Sequence, residues 1–557
     1  MSLLLGVTRV QAQPLHDIID TFIVTAQGES SSSQSALLDD YGFARRVYLD
    51  LTGRIPAVSE VLEFVGDGDL QKREALVERL LASPAYARHM QYTFDVMFME
   101  RLPKKHVPPE EFQTYLRKSF AANKPYNRLA TEILTADGSV PELRAASRFL
   151  LDREIKREET VRAIGRVFLG RDLQCAQCHN HPNVDGYLQQ HYYGVAAFLQ
   201  RSYLFTDPSS KVVSIGDKIE GDVTFTSVFT GEDGKTQPRL LGLPEIQDPQ
   251  QEEQPYEVKP DSKNRGVPKY SRRLQLAPAM TSSDNLAFRQ NIANRIWAMM
   301  VGQGFVEPLD MFHEGNTASH PELLTAMADD LMSHGYDIKY LIKEIVKTQT
   351  YQRQSELKVQ DLADEKPRYL NGTLKPLSPE QFAWSLLQAV GVVEKTERSV
   401  IAALEKEDAN FKEATAQSAV LIEEKVSVAL KSQIESIVKV FAGSNAASRF
   451  DASADHALYL LNGPEVAKWL AAGQDMLLDQ LLRMDDNQAL VSRVFLTIYS
   501  RMPSDPELKL AVEFLSVGEQ GREEAVRELP RRLHAAEDGQ RDPEGHLPCR
   551  RLLHRDA

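Results

Sequence analysis

Apolar residues recur three and four positions apart along most of the chain, the spacing of amphipathic helices. Leu15, Ile18, Ile19, Phe22 and Ile23 fall on one face of a helix predicted over 14–27. Residues 28–35, Gly-Glu-Ser-Ser-Ser-Ser-Gln-Ser, have the composition of a flexible linker. Further helices are predicted over 39–51, from Ser59 as a cap, and over 71–81, 86–100, 110–122 and 128–134. Leu76, Val77, Leu80 and Leu81 make one stripe, which stops before Ser83-Pro84. A helix over 160–170 gathers Val161, Ile164, Val167 and Phe168 and runs into a pair of cysteines.

The period changes near 203. Residues 212–215, 223–229 and 239–241 read as strands, with Gly-Glu-Asp-Gly (231–234) as a turn. Residues 248–269 are acidic and contain proline, the composition of a loop or linker. Helical spacing returns near 281. It predicts helices over 285–300, 321–334 (proline at the start, Gly335 past the end), 338–350 and 379–392, a hairpin of helices over 394–440, and helices over 466–482, 487–500 and 505–517. The expected fold is mainly α, two helical domains with a small β-rich insertion between them. The expected boundaries are 38–202, 203–275 and 276–520. Residues 535–557 are polar without a period and are expected to be a disordered tail.

Composition narrows the function. The 557 residues are 42% hydrophobic and 26% charged, with a formal net charge of −14. That balance argues against a broad nucleic-acid surface, which needs basic patches. No apolar run approaches the roughly 20 residues of a membrane-spanning helix. Residues 1–13 resemble the remnant of an export signal: Leu3-Leu4-Leu5-Gly6-Val7 is apolar, and Val10-Gln11-Ala12 resembles a cleavage site. An exported protein, periplasmic or at the cell surface, is the expectation.

Of the three cysteines, Cys549 stands near the end, and Cys175 and Cys178 lie three apart. Such a pair closes too small a loop to staple a fold. The run Cys175-Ala176-Gln177-Cys178-His179 is the spacing of c-type haem attachment. Two thiols bond the two vinyl groups, and the adjacent histidine ligates the iron. Val167, Phe168 and Leu173 are expected to pack one haem edge. Other readings fit the same residues. Zinc can be held by Cys175, Cys178, His179 and His181, although closed zinc sites usually use two separated ligand pairs. A redox dithiol would call for a thioredoxin-like context, which is missing. The thiols can also be inert.

For a sixth iron ligand, no methionine occurs between Met99 and Met280. His191 is the nearest candidate distal ligand. His89, Met90, Met97 and Met99 lie upstream. His313, His320, His334, Glu314 and Glu322 match no familiar metal spacing. The carboxylates Asp50, Asp95, Asp310 and Asp337 have no evident catalytic partner.

Several motifs in order resemble a known pair of domains. Residues 43–56 (Phe-Ala-Arg-Arg-Val-Tyr-Leu-Asp-Leu-Thr-Gly-Arg-Ile-Pro), 76–86, Phe168-Leu169-Gly170, 175–182 and 192–198 are similar to the planctomycete cytochrome-type domain two. Asn294-Arg295-Ile296-Trp297, 302–310, 319–324, 341–346, 350–352, 460–464 and 499–503 are similar to its usual partner, the planctomycete-specific domain one. The likeness spans most of 38–520. It implies haem attachment at Cys175, Cys178 and His179. The family more often has aspartate where Asn180 stands. The resulting expectation is an exported haem c protein that transfers electrons to a redox partner protein or assists a redox reaction. The alternatives are a zinc-binding or scaffold protein without haem, or an accessory to polysaccharide degradation.

Overall fold

The computed structural model describes all residues except 1–12, 26–33, 181–186, 229–230, 232, 251, 356–368, 409, 414, 443–452, 470–475, 518–520 and 538–557. The fold is mainly α, with three two-stranded antiparallel sheets among the described residues, between 202 and 268. The chain divides into two compact units, each made of two stretches of sequence: 1–37 with 86–375, and 38–85 with 376–557. This is a different division from the segments 38–202, 203–275 and 276–520.

In the first unit the helix Leu15–Thr25 buries Leu15, Ile19 and Ile23. Its Asp20 carboxylate accepts the N–H groups of Gln349 and Thr350, at 2.8 and 3.1 Å. This caps the short helix Gln349–Gln352, which follows Ile338–Lys347 where a single helix over 338–350 was expected. The helices Pro84–Met99, Pro109–Ala121 and Tyr126–Thr135 enclose an aromatic core of Phe94, Phe98, Phe112 and Phe120.

The sheets depart from the expected strands. Ser202–Thr206 pairs with Val213–Asp217, and Val223–Thr226 with Asp233–Thr236. Residues 239–241 are not a strand. The Arg239 N–H donates instead to the Gly194 carbonyl at 3.1 Å, while Leu240 and Leu241 are buried. Residues 248–269, read as a linker, are tied down by side chains. Asp248 pairs with Arg201 and with the buried Arg272, both at 2.6 Å, and Arg265 pairs with Asp137 at 2.5 Å. A helix, Arg272–Thr281, begins before the expected return at 281 and contains Pro278.

In the second unit the helices Asp40–Thr52 and Val58–Gly66 pack with C-terminal residues more than 300 positions away, and Lys72–Ala82 packs on Asp40–Thr52. Arg45 donates to the Ile498 carbonyl at 2.7 Å, and Gln381 to the Leu49 carbonyl at 2.9 Å. The start of Val58–Gly66 is capped not by Ser59 but by Glu60, which accepts the Ala57 N–H at 2.7 Å and pairs with Arg54. The predicted hairpin is present as Val392–Glu407 and Ala416–Phe441. Arg522–Glu537 is helical past the expected start of the tail, and the rest of that tail, with Cys549, lies outside the described residues.

One pairing in this unit gives a pH prediction. Both guanidinium N–H groups of Arg501 reach Glu507 at 2.8 Å. The hydrogen bond from Arg501 holds the Glu507 carboxyl at about 2, below its usual 4.5. The stability this adds is present above the unfolded value and is lost as pH falls from about 4.5 toward 2. Glu507→Gln is expected to reduce the drop in urea midpoint between pH 7 and pH 3. Equal drops in variant and parent would show that the pair adds nothing.

Candidate functional site: the Cys175–His179 turn

The stretch before the cysteines is a helix whose last turn is widened. Arg157–Ile164 is α-helical, Gly165–Leu169 continues as one π turn, and Gly170 ends it at φ 64°. Backbone groups at such a turn need partners from elsewhere. Asn291 donates to the Val167 carbonyl at 2.7 Å and Arg295 to the Arg166 carbonyl at 2.6 Å. The Arg166 guanidinium pairs with Glu100 and Asp310. The Phe312 N–H donates to the Gly170 carbonyl at 3.0 Å, and the Asp172 N–H to the Asp310 carbonyl at 2.9 Å. Residues 291–312 of the same unit therefore hold the approach to the motif. Gly170 is required here by space as well as by φ. A Cβ would lie 2.7 Å from the Phe312 ring and 2.8 Å from the Asn291 oxygen.

Gln174–Gln177 then forms a short 3-10 helix, its first N–H accepted by Asp172 at 3.0 Å. Cys175 lies within this turn and Cys178 follows it as the C-cap; both are exposed free thiols. Leu173 and the intervening Ala176 are fully buried and anchor the turn. His179 is half-buried, with Nδ1 2.6 Å from the Asn180 carbonyl. A carbonyl only accepts, so the proton sits on Nδ1 and the lone pair on Nε2. That is the tautomer in which a histidine ligates metal.

The helix Gln189–Leu199 starts against this turn. The Gln189 N–H donates to Asn180 Oδ1 at 2.8 Å, and its side chain reaches the carbonyls of Gln177 and Thr226, both at 3.3 Å. The Val228 N–H donates to the Cys178 carbonyl at 3.3 Å. His191 is half-buried, and its Nδ1 accepts the Leu188 N–H at 3.3 Å. Tyr193 stacks on Phe225, centroids 4.6 Å apart and planes 5° apart.

The other candidates are not drawn together. Phe168 faces Phe98 and Phe149, at 5.9 and 5.6 Å between centroids, so it belongs to the protein core rather than to a ligand edge. Met90 and Met99 are buried, and Met99 Sδ accepts from Arg153 at 3.8 Å. His313 accepts the Gly315 N–H, His320 is hydrogen-bonded to Ser319 with its pKa pushed down by burial, and His334 stacks on Tyr340. Asp95 pairs with Arg148 and Asp310 with Arg166, and Asp337 caps a helix at the Tyr340 N–H. Asp50 is buried. Among the described residues no three His, Cys, Asp or Glu side chains converge as a metal-binding group. His181 lies outside the described residues.

The sequence reading missed Asn291, Arg295, Asp310 and Phe312 as the partners that hold the motif. Arg295 and Asp310 fall in segments that resemble the second family domain; Asn291 and Phe312 lie outside them and carried no signal. A family model described as a protein of unknown function (DUF1549) matches residues 18–203. A second, also described as a protein of unknown function (DUF1553), matches residues 272–515. No curated protein and no solved structure matches the chain. The chain carries a DUF1549 domain and a DUF1553 domain in tandem.

Proposed function

We propose that the chain is an exported haem c protein, attached through Cys175 and Cys178 with His179 as the axial iron ligand, and that it serves electron transfer with a redox partner protein. The observation that carries the reading is a pair of exposed free thiols, Cys175 in the 3-10 turn and Cys178 as its C-cap, followed directly by His179. Covalent haem attachment uses two thiols at this spacing with the adjacent histidine on the iron. The Nδ1 contact of His179 supports it by setting the lone pair on Nε2. A haem held there supplies a one-electron couple at its iron. The residues supply fixed attachment, ligand orientation and a turn anchored through Leu173 and Ala176. A zinc site is the second reading. It needs three or four converging ligands, and the described residues gather no such set. Haem staining of a denaturing gel, with metal analysis of protein made without haem maturation, separates the two. A scaffold or polysaccharide-processing role rests on no structural observation.

We assign the distal position to His191, which stands at the start of the helix that abuts the turn; its Nδ1 accepts the Leu188 N–H, so ligation through Nε2 requires the ring to give up that contact and move its proton to Nδ1. Oxidised protein is expected to show a low-spin spectrum without the far-red band of a methionine-ligated iron. His191→Ala is expected to turn it high-spin while haem stays attached. A methionine band in the parent, or a low-spin spectrum that survives His191→Ala, overturns the assignment.

A further inference from the structure

The ring of His179 is held by the residue that follows it. Nδ1 lies 2.6 Å from the Asn180 carbonyl, so the set of the ring depends on where that carbonyl is fixed. Asn180 is exposed, and packing does not place it. Its side chain does. Oδ1 accepts the Gln189 N–H at 2.8 Å. Gln189 opens the helix Gln189–Leu199, and the first N–H groups of a helix find no acceptor within it. Asn180 satisfies one of them from outside the helix. The backbone before the histidine is tied to the same region. The Cys178 carbonyl accepts the Val228 N–H, and the Gln177 carbonyl accepts the buried Gln189 side chain, both at 3.3 Å. His179 therefore sits between two anchored peptide groups, and the anchor on its Nδ1 side is the Asn180 amide.

We infer that Asn180 is a positioning residue for His179: its side chain fixes the carbonyl that holds the proton on Nδ1 and so leaves Nε2 as the ligating atom. A hydrogen bond from the far nitrogen of a ligating histidine fixes its tautomer and ring orientation and raises its basicity. A more basic ligand favours ferric iron and lowers the potential, one of the levers a protein has over a haem. The effect at the iron rests on the haem reading. The effect on the tautomer rests only on the two contacts of Asn180.

The test compares the parent with Asn180→Ala and Asn180→Asp. Asn180 is exposed, so both variants should fold. Aspartate keeps an acceptor oxygen for the Gln189 N–H and suits a helix start. In protein made without haem, magnetic resonance of histidine labelled at its ring nitrogens reads which nitrogen of His179 carries the proton. The parent should show the proton on Nδ1, Asn180→Ala a mixture of both tautomers, and Asn180→Asp the parent signal again. In protein matured with haem in the periplasm, the midpoint potential of Asn180→Ala should rise above that of the parent, and that of Asn180→Asp should not. An unchanged tautomer or an unchanged potential in Asn180→Ala would overturn the inference and leave haem attachment standing; Asn180 would then be a helix cap alone. A parent without covalent haem would overturn the haem reading, and the haem-free comparison would still decide whether Asn180 sets the tautomer of His179.

Discussion

Alanine at both Cys175 and Cys178 is expected to abolish covalent haem, leaving no peroxidase-active band on a denaturing gel. Each thiol supplies one thioether, so Cys175→Ala alone should weaken the band and the double change should remove it. The substitutions cost little in folding, because both side chains are exposed. Leu173 and Ala176, which anchor the turn, are untouched. Loss of haem without loss of soluble, folded protein is thus the expected pattern. Equal staining in the double variant would show that the haem is held elsewhere or is not covalent.

Gly170→Ala is expected to be the most damaging single-methyl change near the site. A left-handed φ costs a non-glycine residue about 1–2 kcal/mol, and forcing atoms into packed space costs about 1–3 kcal/mol more. The added Cβ would press on the Phe312 ring and on Asn291, the side chain that holds the Val167 carbonyl. A loss of about 2–5 kcal/mol in urea unfolding is expected. Gly335→Ala is the control. Its φ of 66° is nearly the same, but its Cβ would meet nothing within 4 Å. It should cost about 1–2 kcal/mol. Equal losses at the two glycines would show that the Phe312–Asn291 clasp adds no stability.

The elements legible in the sequence are those with one buried stripe. Leu76, Val77, Leu80 and Leu81 are all buried as their spacing predicts, and the hairpin near 394–440 is present. What escaped has physical causes. The strand Asp233–Thr236 is Asp-Gly-Lys-Thr, with no alternating apolar residues, and it exists because Val223–Thr226 pairs with it. The helix Arg272–Thr281 hides behind Pro278, which periodicity reads as a break. Ser59 has the chemistry of a cap, but Glu60 reaches the backbone N–H because Arg54 also holds it. The packing of 38–85 with 376–557 depends on contacts over 300 residues apart, which local spacing does not encode.

At the site, the pair Cys175 and Cys178 with His179 was legible from its spacing alone. Its setting was not. The π turn at Gly165–Leu169 is completed by Asn291 and Arg295, and the Arg166–Asp310 pair spans 144 positions. The capping contact of His191 likewise appears only once the helix start at Gln189 is in place.

The central claim is that this turn carries haem through two thioethers. The most direct measurement is a pyridine haemochrome assay on protein matured in the periplasm, after acid–acetone extraction of non-covalent haem. The account predicts a c-type haemochrome spectrum at one haem per chain that survives extraction. A haem-free chain, or a b-type spectrum removed by the extraction, would contradict it.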